Sequence, residues 1–326
     1  MTHKILLIIT LLLGTFGVVK AQFKDEWQDK SPHKSDFVTA NGVKLHYLDW
    51  GGKRESLLFL PGLNQSAHIY DELAPQFRDK FRVLALTRRG QGESDKPETG
   101  YETSVLTEDL KQFLDNLEID RVILIGHSMA GKELTLFATL YPNRVKKLVF
   151  LDAAYDFSEQ AEASKNAPDE EIPKEATESF IAFRDYFKKT KCGWSQAWEA
   201  DMRATIVFAP DGKPLRPIML DKTAGQLVRG MQASNPDYTK VKVPTLGFFV
   251  PDPFPECSFP PNISQTDREK MKGFIKTYRA FLQKSADRFK RELPKSKIIK
   301  LSNTDHWFFI QNQTEVVREI RAFLLN

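Results

Sequence analysis

The sequence predicts an α/β protein in which a mostly parallel, eight-stranded sheet is covered by helices on both faces and interrupted by a helical insertion. Three observations predict it. Short β-branched or aromatic runs alternate along the chain with amphipathic stretches of helical period, the pattern of βαβ units. One long block, residues 157–240, breaks that alternation and holds only helical spacings. The 326 residues, 41% hydrophobic and 28% charged, exceed the roughly 250–300 at which a single core stops growing, so a large domain carrying an insertion fits the length. With 17 Gly, 18 Pro and 2 Cys the chain is neither fibrous nor a disulfide scaffold, and its apolar content excludes a disordered one.

Taken in order, the chain opens with Lys4, an apolar run from Ile5 to Val19, and Val19-Lys20-Ala21. A basic start, a short apolar run and small residues at the −3 and −1 positions form a secretory signal, residues 1–21, cleaved after Ala21. The run is shorter than the roughly 20 residues of a spanning helix, so the expectation is an exported protein, periplasmic or secreted, with no stable membrane insertion after cleavage. Residues 22–36 form a polar leader. Strands follow at Phe37 to Ala40 and Val43 to Asp49, a hairpin at one sheet edge, and at Ser56 to Leu60. A helix over Ala67 to Phe77 precedes a strand at Phe81 to Leu86, and a helix over Thr103 to Leu117 precedes one at Arg121 to Ile125. Lys132 to Tyr141 is helical and Lys147 to Leu151 extended. After the insertion come a strand at Thr245 to Val250, a helix over Arg268 to Leu293, a strand at Lys297 to Leu301 and a helix over Thr314 to Leu325. The core is therefore residues 37–156 and 241–326, with 157–240 lying over the strand ends.

Chemistry concentrates at Gly126-His127-Ser128-Met129-Ala130-Gly131. The strand Val122-Ile123-Leu124-Ile125 runs straight into this turn, and a helix leaves it near Lys132. A serine on so sharp a turn needs very small residues two before and two after it, so that strand and helix can approach; Gly126 and Ala130 meet that demand, with Gly131 beside them. Gly92-Glu93-Ser94 and Gly193-Trp194-Ser195-Gln196-Ala197 carry similar letters without the strand and helix around them. Ser128 is the candidate nucleophile.

A serine hydroxyl needs an imidazole to accept its proton. Of six histidines, His3 lies in the signal, His33 in the leader, His46 in a strand, His68 at a helix start and His127 in the elbow; His306 stands beyond the last strand, where open parallel sheets place reactive groups. A carboxylate must then fix the imidazole tautomer. Asp252, after the strand Leu246 to Val250, is the first candidate on chain order. Asp152 and Asp156, after the strand ending at Leu151, are the alternatives. For the developing oxyanion, the backbone N–H groups of Leu63 and Met129 can face one cleft.

Leu60-Pro61-Gly62-Leu63, the run Leu86 to Ser94, Gly-His-Ser-Met-Ala-Gly, Leu151-Asp152-Ala153-Ala154, a strand with Asp252 and Asp305-His306-Trp307, in this order, resemble the α/β-hydrolase superfamily, nearest its cap-bearing esterase and haloperoxidase-like members. The resemblance covers about Phe37 to Asn326. Most relatives carry His-Gly where this chain has Pro61-Gly62, which keeps the amide but removes a supporting side chain. Ser128 argues against the members with an aspartate nucleophile, the dehalogenases and epoxide hydrolases. The resemblance implies hydrolysis of a small-molecule ester or other acyl substrate with no metal or organic cofactor. The aromatic residues of the insertion suggest small to medium apolar or aryl groups, although Phe180, Phe183 and Phe187 fit ordinary helix packing. A non-enzymatic ligand-binding homologue, or a C–C bond hydrolase or acyltransferase on the same residues, are the alternatives.

Cys192 and Cys257 could pair in an oxidising compartment or stand as unrelated thiols; neither belongs to a C-x-x-C or Cys/His cluster, so no metal site is expected. The formal charge of +4 loses Lys4 and Lys20 with the signal, and the 12 basic against 4 acidic residues of Pro261 to Lys300 read as the solvated face of the expected helix, so no nucleic-acid partner is expected. The oligomeric state is not legible.

Overall fold

A computed structural model describes residues 25–52, 55–164, 172–190, 193–233, 235–255, 259 and 263–326. The signal segment 1–21, Cys192 and Cys257 lie outside the described residues.

The core strands are β1 (Lys34–Ala40), β2 (Val43–Gly51), β3 (Ser56–Leu60) and β4 (Arg82–Leu86), then β5 (Val122–His127) and β6 (Val145–Leu151), with helices α1 (Thr103–Asn116) and α2 (Ala130–Leu140) before and after β5. Between β6 and the next core strand the chain forms α3 (Phe157–Ala163), α4 (Phe180–Thr190), α5 (Gln196–Thr205), the short antiparallel pair β7 (Ile206–Phe208) and β8 (Pro214–Pro217), and α6 (Asp221–Gln232). It returns through β9 (Thr245–Phe249), the 28-residue α7 (Gln265–Glu292), β10 (Lys297–Lys300), α8 (Phe308–Gln311) and α9 (Gln313–Leu325).

The eight-stranded sheet has the order β1-β2-β4-β3-β5-β6-β9-β10. Strands β4, β3, β5, β6, β9 and β10 pair in parallel, and β2 runs antiparallel to both of its neighbours. Parallel strands are buried on both faces, and successive side chains point to opposite sides. Leu58, Leu60 and Leu124 accordingly pack with Phe113, Leu134 and Phe289 on one face, whereas Leu57, Phe59, Ile123 and Ile125 pack with Phe77, Phe308 and Ile320 on the other. Ile123 and Ile125 are at most 1% exposed, and burial of such side chains contributes roughly 1.5–3 kcal/mol each.

Two expectations change. The stretch Ala67 to Phe77 is two 3₁₀ turns, Ala67–Tyr70 and Ala74–Phe77, because Pro75 has no N–H to continue a helix from the first turn. The block 157–240 contains the β7–β8 hairpin as well as helices. Its α5 is tied to the loop after β3: the Ser66 amide and hydroxyl both donate to Asp201 Oδ1, at 2.6 and 2.7 Å. Among the described residues no helix is long and apolar enough to cross a membrane.

Candidate active site

Strand β5 delivers Ser128 to the turn with φ +54°, a left-handed conformation that costs a non-glycine residue energy and persists only where its surroundings enforce it. The Ser128 amide donates to the Leu151 carbonyl at 3.3 Å, and the Gly131 amide donates to the Ser128 carbonyl at 3.1 Å. A Cβ placed on Gly126 would lie 2.7 Å from a Leu134 methyl and 2.9 Å from Ala130 Cβ, and one on Gly131 would overlap the Ala153 carbonyl. The small residues expected at these positions are what permit α2 to seat against β5 and β6.

His306 stands beyond β10, and its Nδ1–H donates to Asp152 Oδ2 at 2.7 Å. Asp152 is the first residue after β6; its side chain is 2% exposed and its φ is +46°. Its amide donates to the Phe248 carbonyl at 3.0 Å, and its Oδ1 accepts from the Val250 amide at 3.0 Å. Both carboxylate oxygens are thus occupied by donors, and the His306 proton is held on Nδ1, leaving Nε2 with a lone pair. The His306 loop is anchored to the elbow itself: its carbonyl lies 3.0 Å from His127 Nε2, and the two rings are 4.4 Å apart. Burial and the adjacent His306 push the His127 pKa well below its usual value, so that ring is neutral.

Asp252, the carboxylate first expected beside His306, is not there. The strand β9 presents the Val250 amide to Asp152, and the chain then passes Pro251, so that Asp252 turns outward, 46% exposed, to pair with Arg279 on α7. Of the two alternatives, Asp152 meets His306. Asp156 instead caps α3, accepting from the Ser158 amide at 3.1 Å, and pairs with Arg288 at 2.9 Å.

The loop Pro61–Gln65 abuts the elbow: a Cβ on Gly62 would lie 3.3 Å from Ser128 Cβ. The Gly62 amide donates to Gln65 Oε1 at 2.7 Å and the Asn64 amide to Gln91 Oε1 at 2.6 Å. The intervening Leu63 amide, like that of Met129, has no acceptor among the described residues. Arg88 spans the base of the loop, donating to the Pro61 carbonyl through both terminal nitrogens at 3.0 Å and through Nε to Glu133 at 2.8 Å. Burial pushes the Glu133 carboxyl up while Arg88 opposes the shift. Gln65, Arg88, Gln91 and Glu133 escape a reading of motif letters. Their signal is the run Arg88-Arg89-Gly90-Gln91 directly after an apolar strand and a glutamate early in the helix after the elbow.

Comparison with known proteins agrees with this architecture. Residues 55–179 match the family model described as alpha/beta hydrolase fold. The chain is 28% identical over 204 residues, 60% of its length and 70% of the relative's, to 2-(acetamidomethylene)succinate hydrolase of Mesorhizobium japonicum. A crystal structure of E-2-(acetamidomethylene)succinate hydrolase superposes with a TM-score of 0.69 at 21% identity, covering 90% of this chain and 100% of that one. The chain has the α/β-hydrolase fold. Another relative, epoxide hydrolase 4 of Mus musculus, is 33% identical over 118 residues, 35% of this chain and 33% of that protein.

In this α/β-hydrolase the space around Leu63 and Met129 is apolar. Both pack with Tyr155 and Phe157 and with Met219, Leu227 and Met231 from the insertion. Phe180 and Phe183 pack with Met202 and Phe208 and with partly buried Phe187 and Trp194, a small core of the insertion itself. Trp198 reaches toward the base, its ring 5.4 Å from that of Trp307, the neighbour of His306.

Proposed function

We propose that this α/β-hydrolase is an exported serine hydrolase that cleaves small to medium apolar or aryl carboxylic esters through Ser128, His306 and Asp152. The observation that carries the reading is the 2.7 Å bond from His306 Nδ1 to a doubly hydrogen-bonded, buried Asp152 beside a serine in a left-handed strand-to-helix turn. In this reading His306 Nε2 takes the Ser128 Oγ proton as the oxygen attacks the ester carbonyl. The amides of Leu63 and Met129 receive the oxyanion, with Gln65, Gln91 and Arg88 holding the loop that carries Leu63. His306 then gives its proton to the leaving alkoxide. Water, deprotonated by the same imidazole, releases the acyl group from Ser128, and the hydroxyl is restored.

Support for apolar substrates comes from the side chains packed around the two amides. The cations nearest the elbow are engaged: Arg88 with Glu133, Arg89 with Asp109, and Lys132 with the Met231 carbonyl. Turnover of p-nitrophenyl esters graded from acetate to octanoate, together with labelling by a fluorophosphonate, tests the reading. Labelling is expected in wild type and absent in Ser128→Ala; a protein that neither labels at Ser128 nor hydrolyses any ester of the series is not a serine esterase. Sequencing the N-terminus of the exported protein is expected to begin at Gln22.

A further inference from the structure

The sequence offers no cysteine-based zinc spacing, yet folding gathers three of its six histidines with three carboxylates beside the loop after β3. His33 and Asp29 come from the segment before β1, His68 and Asp71 from the first 3₁₀ turn after β3, His46 from β2, and Glu93 from the loop after β4. None belongs to the site at Ser128.

Five atoms from four residues of this group converge. His33 Nε2 lies 3.0 Å from Asp29 Oδ2 and 3.2 Å from Asp71 Oδ1; His68 Nδ1 lies 2.8 Å from Asp71 Oδ2 and 3.2 Å from Asp29 Oδ2. Each nitrogen therefore faces both carboxylates. The Asp71 Oδ1 contact lacks the alignment of a hydrogen bond, although that atom is buried. Two of these contacts, His33 Nε2 with Asp29 Oδ2 and His68 Nδ1 with Asp71 Oδ2, are hydrogen bonds; the two crossed contacts at 3.2 Å gather the same groups around a common point, as a metal centre requires. Tetrahedral ligands at zinc bond lengths of about 2.0–2.2 Å stand about 3.3–3.6 Å apart, so the separations of 2.8–3.2 Å would open by a few tenths of an ångström to admit the ion.

The surroundings agree. Side-chain exposure is 9% for His33, 13% for His68, 3% for Asp71 and 23% for Asp29, so the charges are largely withdrawn from water. Two aspartates and a divalent cation with neutral imidazoles form a neutral set. On the far side of the His68 ring, Nε2 lies 3.7 Å from Glu93 Oε2, the carboxylate behind a histidine that commonly orients a metal-bound ring.

We propose that Asp29, His33, His68 and Asp71 form a His₂Asp₂ site for a divalent transition-metal ion of the zinc type, with Glu93 orienting His68. Mixed imidazole and carboxylate donors suit zinc better than calcium or magnesium, which favour oxygen alone. The ion joins the segment before β1 to the loop after β3 and takes no part in the chemistry at Ser128.

The test is zinc binding to the full chain, stripped with a chelator and dialysed, followed by calorimetry and metal analysis, with cobalt absorption reporting coordination geometry. One ion per chain is expected, with a tetrahedral cobalt spectrum and a raised thermal midpoint. His33→Ala and His68→Ala should each weaken binding at least 100-fold and Glu93→Gln about tenfold, while Ser128→Ala binds as wild type. Asp29→Asn, a conservative change at the most exposed ligand, serves where the alanine variants fail to fold and is expected to weaken binding at least tenfold. Absence of stoichiometric zinc from the folded wild type, or an affinity unchanged in folded Asp29→Asn and His33→Ala, overturns the proposal.

Discussion

Asp152 and His306, 154 residues apart in sequence, meet through a 2.7 Å hydrogen bond whose carboxylate is held on its other oxygen by the Val250 amide. The arrangement fixes the imidazole in one tautomer with little freedom to rotate. Asp152→Asn preserves the shape but reverses the donor pattern, and turnover of p-nitrophenyl acetate is expected to fall by about 10⁴. Asp252→Asn, which alters only an exposed pair with Arg279, should stay within about twofold of wild type, as surface ion pairs contribute little. The opposite ranking of the two variants would return the acid role to Asp252.

Arg88 should matter to stability and turnover by separate routes. Arg88→Met strands Glu133, a fully buried carboxylate, and is expected to cost about 3–5 kcal/mol in urea unfolding. Arg88→Met/Glu133→Met removes both charges and should recover most of that stability. It does not restore the brace on the Pro61 carbonyl, so kcat is expected to remain depressed with KM little changed. A double variant with normal kcat would show that the brace is dispensable.

Close approach at the elbow makes a further prediction. Gly131→Ala forces a methyl into the Ala153 carbonyl and is expected to destabilise by about 1–3 kcal/mol or more. Gly273, on the exposed side of α7, has open space around it, and Gly273→Ala should stabilise by about 1 kcal/mol. Thermal and urea midpoints moving in the same direction for both variants would contradict this account.

Lys132 supplies a pH dependence. Burial lowers its ammonium to about 8 from the usual 10.5, opposed by Asp156. Below about pH 8 both folded and unfolded chains hold the proton, and the cost of burying the charge is fully present. Between about 8 and 10.5 the unfolded chain binds the proton and the folded one does not, so stability should rise with pH across that window. In Lys132→Met this contribution disappears, so between pH 7.5 and 10 the unfolding free energy of the wild type should rise relative to that of the variant. Parallel curves would refute the assignment.

Much of this fold could be read from the chain because both local signals and sheet periodicity were strong. The elbow was legible at Gly126, Ser128 and Ala130 because sterics dictate small residues at fixed offsets from the serine. The carboxylate was not, since Asp152 and Asp252 both lie between Ser128 and His306 in sequence, and only the register of β6 against β9 brings Asp152 to the imidazole. The β7–β8 hairpin was missed because Ile206 to Phe208 is very short, although Pro210-Asp211-Gly212 between the strands is a turn signal. The histidine and aspartate group escaped for a different reason. Its members come in two local pairs, Asp29 with His33 and His68 with Asp71, and nothing in either pair announces the other.

The placement of His306 has a consequence for synthesis. Ser128 and Asp152 leave the ribosome in the first half of the chain, but the imidazole that joins them follows β10, the last strand, near the C-terminus. A nascent chain that has already assembled β1 to β6 therefore carries the proposed nucleophile and acid without the proposed base. On the proposed chemistry it stays hydrolytically silent until β10 and the residues after it are in place.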